Sequence, residues 1–214
     1  MRTKTLLLAA AALVAGISAS QAQVYSVNAV GYINVVVKPG FNIIANQLIT
    51  TNSTVANLFA NVPANSKLLN WAGTGFIDNL LDPDFGWDNP DQVVAPGQAV
   101  FFQNQGTTNV TITFVGDVPQ GNLTNTFPTS YSLRSSIVPQ AGLLQAALGY
   151  TPSPGDHILR WINNHPAPGS GYFDYEYDAE FGWTEEPSVN VGEGFFILRN
   201  VPGTGQWTRQ FSVN

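Results

Sequence analysis

The chain repeats itself, so whatever one half folds into, the other half must fold into as well. A shift of 90 residues lays Gly31 on Gly121, Phe41 on Tyr131, Ile43 on Leu133, Leu58 on Leu148, Leu69 on Leu159 and Trp71 on Trp161 without a gap. Inserted residues after Trp161 raise the shift to 96. Gly75-Phe76 then meets Gly171-Tyr172, and Asp78 meets Asp174. The hexad Asp82-Pro83-Asp84-Phe85-Gly86-Trp87 meets Asp178-Ala179-Glu180-Phe181-Gly182-Trp183. Further on, Gly97-Gln98-Ala99-Val100-Phe101 meets Gly192-Glu193-Gly194-Phe195-Phe196, and Phe114 meets Phe211. Most aligned positions differ, but the landmarks keep their order. Two homologous units are expected, the first within residues 23–117 and the second within 118–214.

The N-terminus has the three parts of a secretory signal peptide. Arg2 and Lys4 are a basic start, Leu6 to Ala15 is an apolar run, and Ser20-Gln21-Ala22 puts small residues where a peptidase cuts. A membrane anchor would need about 20 apolar residues, and Ser18, Ser20 and Gln21 interrupt this run. A signal peptide over residues 1–22 is therefore expected, with a mature protein that is soluble and resides in the periplasm or outside the cell. Removing it leaves 192 of 214 residues. Lys plus Arg falls from 8 to 6 against 14 Asp plus Glu, and net charge moves from −6 to −8. An acidic surface repels phosphate backbones, which argues against nucleic acid as a partner and against anionic membranes. No later segment is apolar for long enough to predict a membrane span. With no cysteine, stability in an oxidising compartment has to come from the core alone.

Charged residues are 10% of the chain, against about 25% in ordinary globular domains. Twenty Gly and 14 Pro among many aromatics fit short strands joined by tight turns. Strands are predicted over Val27–Val37, Phe41–Ala45, Lys67–Trp71, Phe76–Leu80, Ala99–Gln103 and Val110–Val115 in the first unit. Val55, Leu58 and Phe59 have helical spacing, which predicts a short helix over Thr54–Asn61, with a counterpart over Gln140–Tyr150. The fold class expected is all-β with short helices, in two homologous sandwich- or barrel-like units. The units either stand as separate domains or swap strands across a pseudo-twofold.

Several segments resemble a known family. They are Val27-Asn28-Ala29-Val30-Gly31-Tyr32-Ile33-Asn34-Val35, Gly40 to Leu48, Ser132 to Ser136, Val138 to Gly142, and the closing Trp207 to Asn214. Together they resemble a family of uncharacterised secreted, internally duplicated β-rich proteins of verrucomicrobial-type bacteria, nearly end to end over the mature chain. The resemblance implies export and a β-rich duplicated fold, and brings no activity or functional residues.

Chemistry-bearing constellations are few. The only histidines, His157 and His165, have no cysteine to complete a zinc site and no nucleophile elbow to serve, and read as surface residues. The carboxylates are more informative. Asp82, Asp84, Asp88 and Asp91 cluster in one loop, and Asp174, Glu176, Asp178 and Glu180 in its counterpart. Three readings stand open: a solvated turn, a calcium site built on Asp82, Asp84, Asp178 and Glu180, or a carboxylate pair for glycoside hydrolysis. Trp87 and Trp183, with Tyr172 and Tyr175, are candidate platforms for a sugar ring. The alternative is that each tryptophan covers the end of its own unit. Trp71 and Trp161 end predicted strands and are expected in the core. The function expected is a non-enzymatic binding or surface-structural protein recognising carbohydrate or an envelope component, with a secreted hydrolase as alternative. No cofactor beyond calcium is implied, and self-assembly is a further expectation.

Overall fold

The computed structural model describes residues 29–213; the signal-peptide reading of 1–22 lies outside them. The first unit runs β1 (Val30–Val37), β2 (Gly40–Ile44), α1 (Val55–Leu58), β3 (Lys67–Trp71), β4 (Phe76–Asp82), β5 (Gly86–Trp87), β6 (Val100–Asn104) and β7 (Val110–Asp117). The second runs β8 (Gly121–Phe127), β9 (Ser130–Ser135), β10 (Gly142–Leu143), β11 (His157–Ile162), β12 (Gly171–Asp178), β13 (Gly182–Trp183), β14 (Ser188–Val189), β15 (Gly194–Arg199) and β16 (Gly205–Phe211). At 49% strand and 2% helix the protein is all-β.

Both units have the same strand order in their main sheet and ribbon, and the second adds a short β10-β14 ladder where the first has a single bridge, Thr54 to Val93. A five-stranded antiparallel sheet, β2-β6-β3-β4-β5 in one unit and β9-β15-β11-β12-β13 in the other, is accompanied by a two-stranded ribbon, β1-β7 or β8-β16. The registers agree residue by residue. Lys67 pairs with Leu80 and Gln103, and His157 pairs with Glu176 and Leu198. Gly40 pairs with Asn104 as Ser130 pairs with Arg199. The ribbons correct one expected match. Phe114 pairs with Ile33, but Phe211 pairs with Gly121, the partner of Gly116's counterpart position. The residue of β16 at Phe114's place is Arg209, and the inner face of that ribbon is filled instead by Trp207, 2% exposed.

Alternation explains which faces are buried. In β1 the inward residues Ile33 and Val37 are buried while Val30, Tyr32 and Val36 face out, the period-2 pattern of a one-sided strand. β6 and β15 instead are buried almost continuously, over Val100-Phe101-Phe102 and Gly194-Phe195-Phe196-Ile197. A continuous apolar run belongs to a strand covered on both faces, and these sheets are. On one side, Phe102 joins Ile33, Phe59, Leu68, Phe114 and others in the first unit's own core. Phe195 and Ile197 join Phe127, Leu144, Tyr150 and Trp207 in the second's. On the other side, Ile43, Ala45, Ala99, Phe101, Leu133 and Phe196 form a third core between the units, with Trp71 and Trp161 packed against it.

The contacts across that middle layer are reciprocal. Trp71 Nε1 donates to Tyr131 O at 2.9 Å, and Trp161 Nε1 donates to Phe41 O at 2.8 Å. Ala45 N donates to Gly192 O and Ser135 N to Gly97 O, and bridges join Ile44 to Glu193 and Gln98 to Arg134. Each bond is the other's image under the repeat, which makes the interface isologous like that of a twofold dimer. Among the described residues every named ladder closes within its own unit, so the units pack face to face and exchange no strand.

The helices are shorter than their spacing predicts. In the first unit α1 has one turn, Val55–Leu58. In the second, Gly142 (φ +146°) and Gly149 (φ +70°) bracket a turn closed by Ala147 N to Leu143 O and Gly149 N to Gln145 O, and no α-helix forms there. Leu144 and Leu148 point into the core from it, while Leu143 is exposed in β10. Among the described residues, no helix is long and apolar enough to cross a membrane.

Candidate functional site

The repeated hexad forms the hairpin turns β4-β5 and β12-β13. Asp82 Oδ1 accepts the N–H of Asp84 at 2.8 Å and of Phe85 at 3.0 Å. Asp178 Oδ1 accepts those of Glu180 at 2.7 Å and Phe181 at 2.9 Å. An aspartate holding the two following amides in this way is a turn-forming device. The amides of Phe181 and Glu180 hold the Asp178 carboxyl below the usual aspartate value. Gly86 and Gly182 sit at φ +82° and +72°, where a Cβ is disfavoured. Trp87 is 8% exposed and meets Phe59 edge-on. Trp183 is half-buried against the second core, meets Tyr177 edge-on at 5.2 Å and donates Nε1–H to Gln145 Oε1. Both tryptophans therefore close their own units, and Trp87 has no ring face left for a sugar.

Phe85 and Phe181 are the exceptions. They are 90% and 81% exposed, at the tips of the two turns, with Asp84 and Glu180 exposed beside them. Turn closure explains the aspartate and the glycine of the hexad, and packing explains the tryptophan. Neither explains a phenylalanine in water.

The remaining candidates separate. Asp82 and Asp178 use an oxygen to close their turns, and Asp84 and Glu180 project from separate tips. Among the described residues no three His, Asp or Glu side chains come together as a metal cluster. Tyr172 lies in the inter-unit layer, edge-on to Trp161 at 5.0 Å, and burial pushes its hydroxyl pKa up. Tyr175, three residues along β12 and so on the opposite face, packs against the second unit's core. His157 Nδ1 lies 2.8 Å from Asp174 Oδ1, where the first unit has Lys67 3.4 Å from Asp78. His165 is exposed.

Two clefts open between the units, related by the repeat. The larger, about 360 Å³, is lined by Lys38, Asn42, Arg160, Trp161, Asn163, Asn190 and Glu193, among others. The other, about 310 Å³, is lined by Asn70, Trp71, Gln98, Leu133 and Arg134, among others. In the larger one Arg160 and Glu193 pair in two places, Nε to Oε1 at 2.6 Å and an NH2 nitrogen to Oε2 at 3.0 Å. Burial opposes the Arg160 charge, but Glu193 and the Tyr175 hydroxyl outweigh it and raise the guanidinium pKa. Nothing in the sequence pointed to this pair, because its partners are 33 residues apart in segments that read as ordinary strand and turn. The exposed phenylalanines do carry a sequence signal: they sit inside the best-matched hexad of the repeat. Comparison with known protein families, with curated proteins and with solved structures returned no match to this chain.

Proposed function

We propose that this is an exported, non-enzymatic binding protein that engages a macromolecular partner of the cell envelope through two equivalent acidic-Phe tips. The observation that carries the reading is the exposure of Phe85 and Phe181 at 90% and 81% in turns that are otherwise explained by folding. An isolated surface phenylalanine is ordinary. The same one on both rigid turns of a diverged duplication has a use outside the fold. The flanking Asp84 and Glu180 set the chemistry of the partner: an apolar socket with a cationic rim. An anionic lipid surface is disfavoured by the same charges. Exposed aromatics on preorganised backbone bind at low entropic cost, and two of them on one body allow two-point attachment. The hydrolase alternative is weakened because Asp82 and Asp178 are engaged by backbone amides and the tips that carry Asp84 and Glu180 stand proud of the surface.

The test is co-sedimentation with purified envelope material of the producing cell, for the wild type, Phe85→Ser, Phe181→Ser and the double variant. Each single variant should lose most of the avidity, of the order of a hundredfold where both tips engage together, with no change in melting temperature. Wild-type retention by the double variant would remove the tips from the binding surface.

A further inference from the structure

We infer that the larger inter-unit cleft binds a carboxylate-bearing sugar, of the kind found as uronate units in acidic polysaccharides. The inference is independent of the two tips. It rests on a comparison that the duplication makes possible, because the smaller cleft shows what the fold requires at each position. Where the larger cleft has Lys38, Asn42, Arg160 and Glu193, the repeat places Pro128, Ser132, Asn70 and Gln98. The interface closes in the same way on both sides, with the same tryptophan bonds and the same amide bonds. Packing therefore needs neither the Arg160–Glu193 pair nor Lys38. The side chains of that pair are only 15% exposed each, and withdrawing two charges from water is expensive compared with the neutral Asn70 and Gln98 that stand at the same places in the first unit.

The polar groups suit a sugar acid. Arg160 and Glu193 neutralise each other, and Glu193 Oε2 is also taken up by the N and Nδ2 of Asn190, so what the pair offers to hydroxyl groups is the remaining N–H donors of a fixed guanidinium plane. Lys38 Nζ donates to Asn163 O at 3.1 Å and has no carboxylate partner among the described residues. An ammonium has three donors, so this charge remains available to an anion although the chain is acidic overall. Asn163 belongs to the segment the first unit lacks and is tied across the cleft, donating Nδ2–H to Pro39 O at 2.9 Å. The insertion thus builds a wall on this cleft alone. In the smaller cleft the one cation, Arg134, is laid along backbone and donates to Thr126 O and Leu133 O. A volume of about 360 Å³ is at the lower end of small-molecule sites, which suits one or two sugar rings.

The experiment is a titration of the protein with digalacturonate, cellobiose and acetate, followed by amide chemical shifts of the cleft residues. Digalacturonate should bind saturably, at least about tenfold tighter than cellobiose or acetate, and more weakly as salt is raised. Lys38→Met should lose about tenfold or more with the melting temperature unchanged. Arg160→Asn with Glu193→Gln carries the two residues that the first unit has at these places, so it should fold and should also bind more weakly. Absence of saturable digalacturonate binding, cellobiose or acetate binding as tight, or full affinity in Lys38→Met would overturn the assignment. If the double variant fails to fold, Lys38→Met alone decides.

Discussion

Phe101 and Phe196 occupy equivalent places on β6 and β15, and their rings meet across the middle layer with centroids 6.3 Å apart. Phe101 also meets Phe41 and Phe76 of its own unit at 6.2 and 5.5 Å, and Trp161 and Tyr172 of the other at 5.8 and 6.5 Å. Truncating a buried phenylalanine to alanine costs about 3–5 kcal/mol, and more where the surroundings cannot collapse. Here they are two sheets pinned to each other by reciprocal bonds, so Phe101→Ala should fall in the upper part of that range. For a chain of this size the melting temperature should drop by roughly 2–4 °C per kcal/mol. Phe196→Ala should cost about as much. The double variant should cost less than the sum, by about 1–2 kcal/mol, because the second ring is removed from a cavity the first has already opened. Urea unfolding followed by tryptophan fluorescence measures all three values. Amide exchange at Ala45 and Ser135, whose N–H groups donate between units, should quicken in either single variant. A cost below about 1.5 kcal/mol for Phe101→Ala, well short of ordinary core truncation, or strict additivity in the double variant, would refute the shared-layer account.

Four further outcomes follow from geometry already described. Gly194→Ala puts a methyl against the Ala99 side chain and 2.6 Å from Ile43 Cγ2; thermal melting should show destabilisation, whereas the same change at Gly171, with open space around it, should not. The Asp178 carboxyl should titrate by NMR below 3.8, the ordinary value. Its folded value is the lower one, so its contribution to stability is complete above that ordinary value and fades as pH falls through the folded one. Burial, with Asp156 adding to it, raises the Tyr150 hydroxyl pKa far above 10; an ultraviolet titration should leave this phenol un-ionised while the protein is folded, and stability should decline as pH rises beyond the unfolded-state value. Millimolar calcium should leave the melting temperature within about a degree, and a rise of several degrees would show preferential binding of the ion by the folded state.

The duplication was legible because the turn residues can scarcely change. Asp82 and Gly86 are fixed by two amide bonds and a positive φ, and so are their counterparts. Strands were legible where β-branched and aromatic residues ran between Gly and Pro, as in β1 and β6. Long-range consequences were not. The middle layer depends on which face of each sheet turns toward the other unit, and alternation alone gives a two-faced apolar strand no preference. Leu143, Leu144 and Leu148 have helical spacing, but the glycines on either side confine them to a single turn. The match of Phe114 to Phe211 failed because side-chain likeness does not fix a ladder: the register follows the main-chain pairing of Gly31 with Gly116 and of Gly121 with Phe211.

The reciprocal bonds across the middle layer have a consequence for dilution. Two free chains meeting through this face would separate once their concentration fell below the dissociation constant. Here the partner surface is tethered, and its effective concentration, on the order of millimolar for a short connection, is independent of how much protein is present. The two halves remain assembled in any volume, so a partner that needs both tips meets them together even when it meets only one molecule.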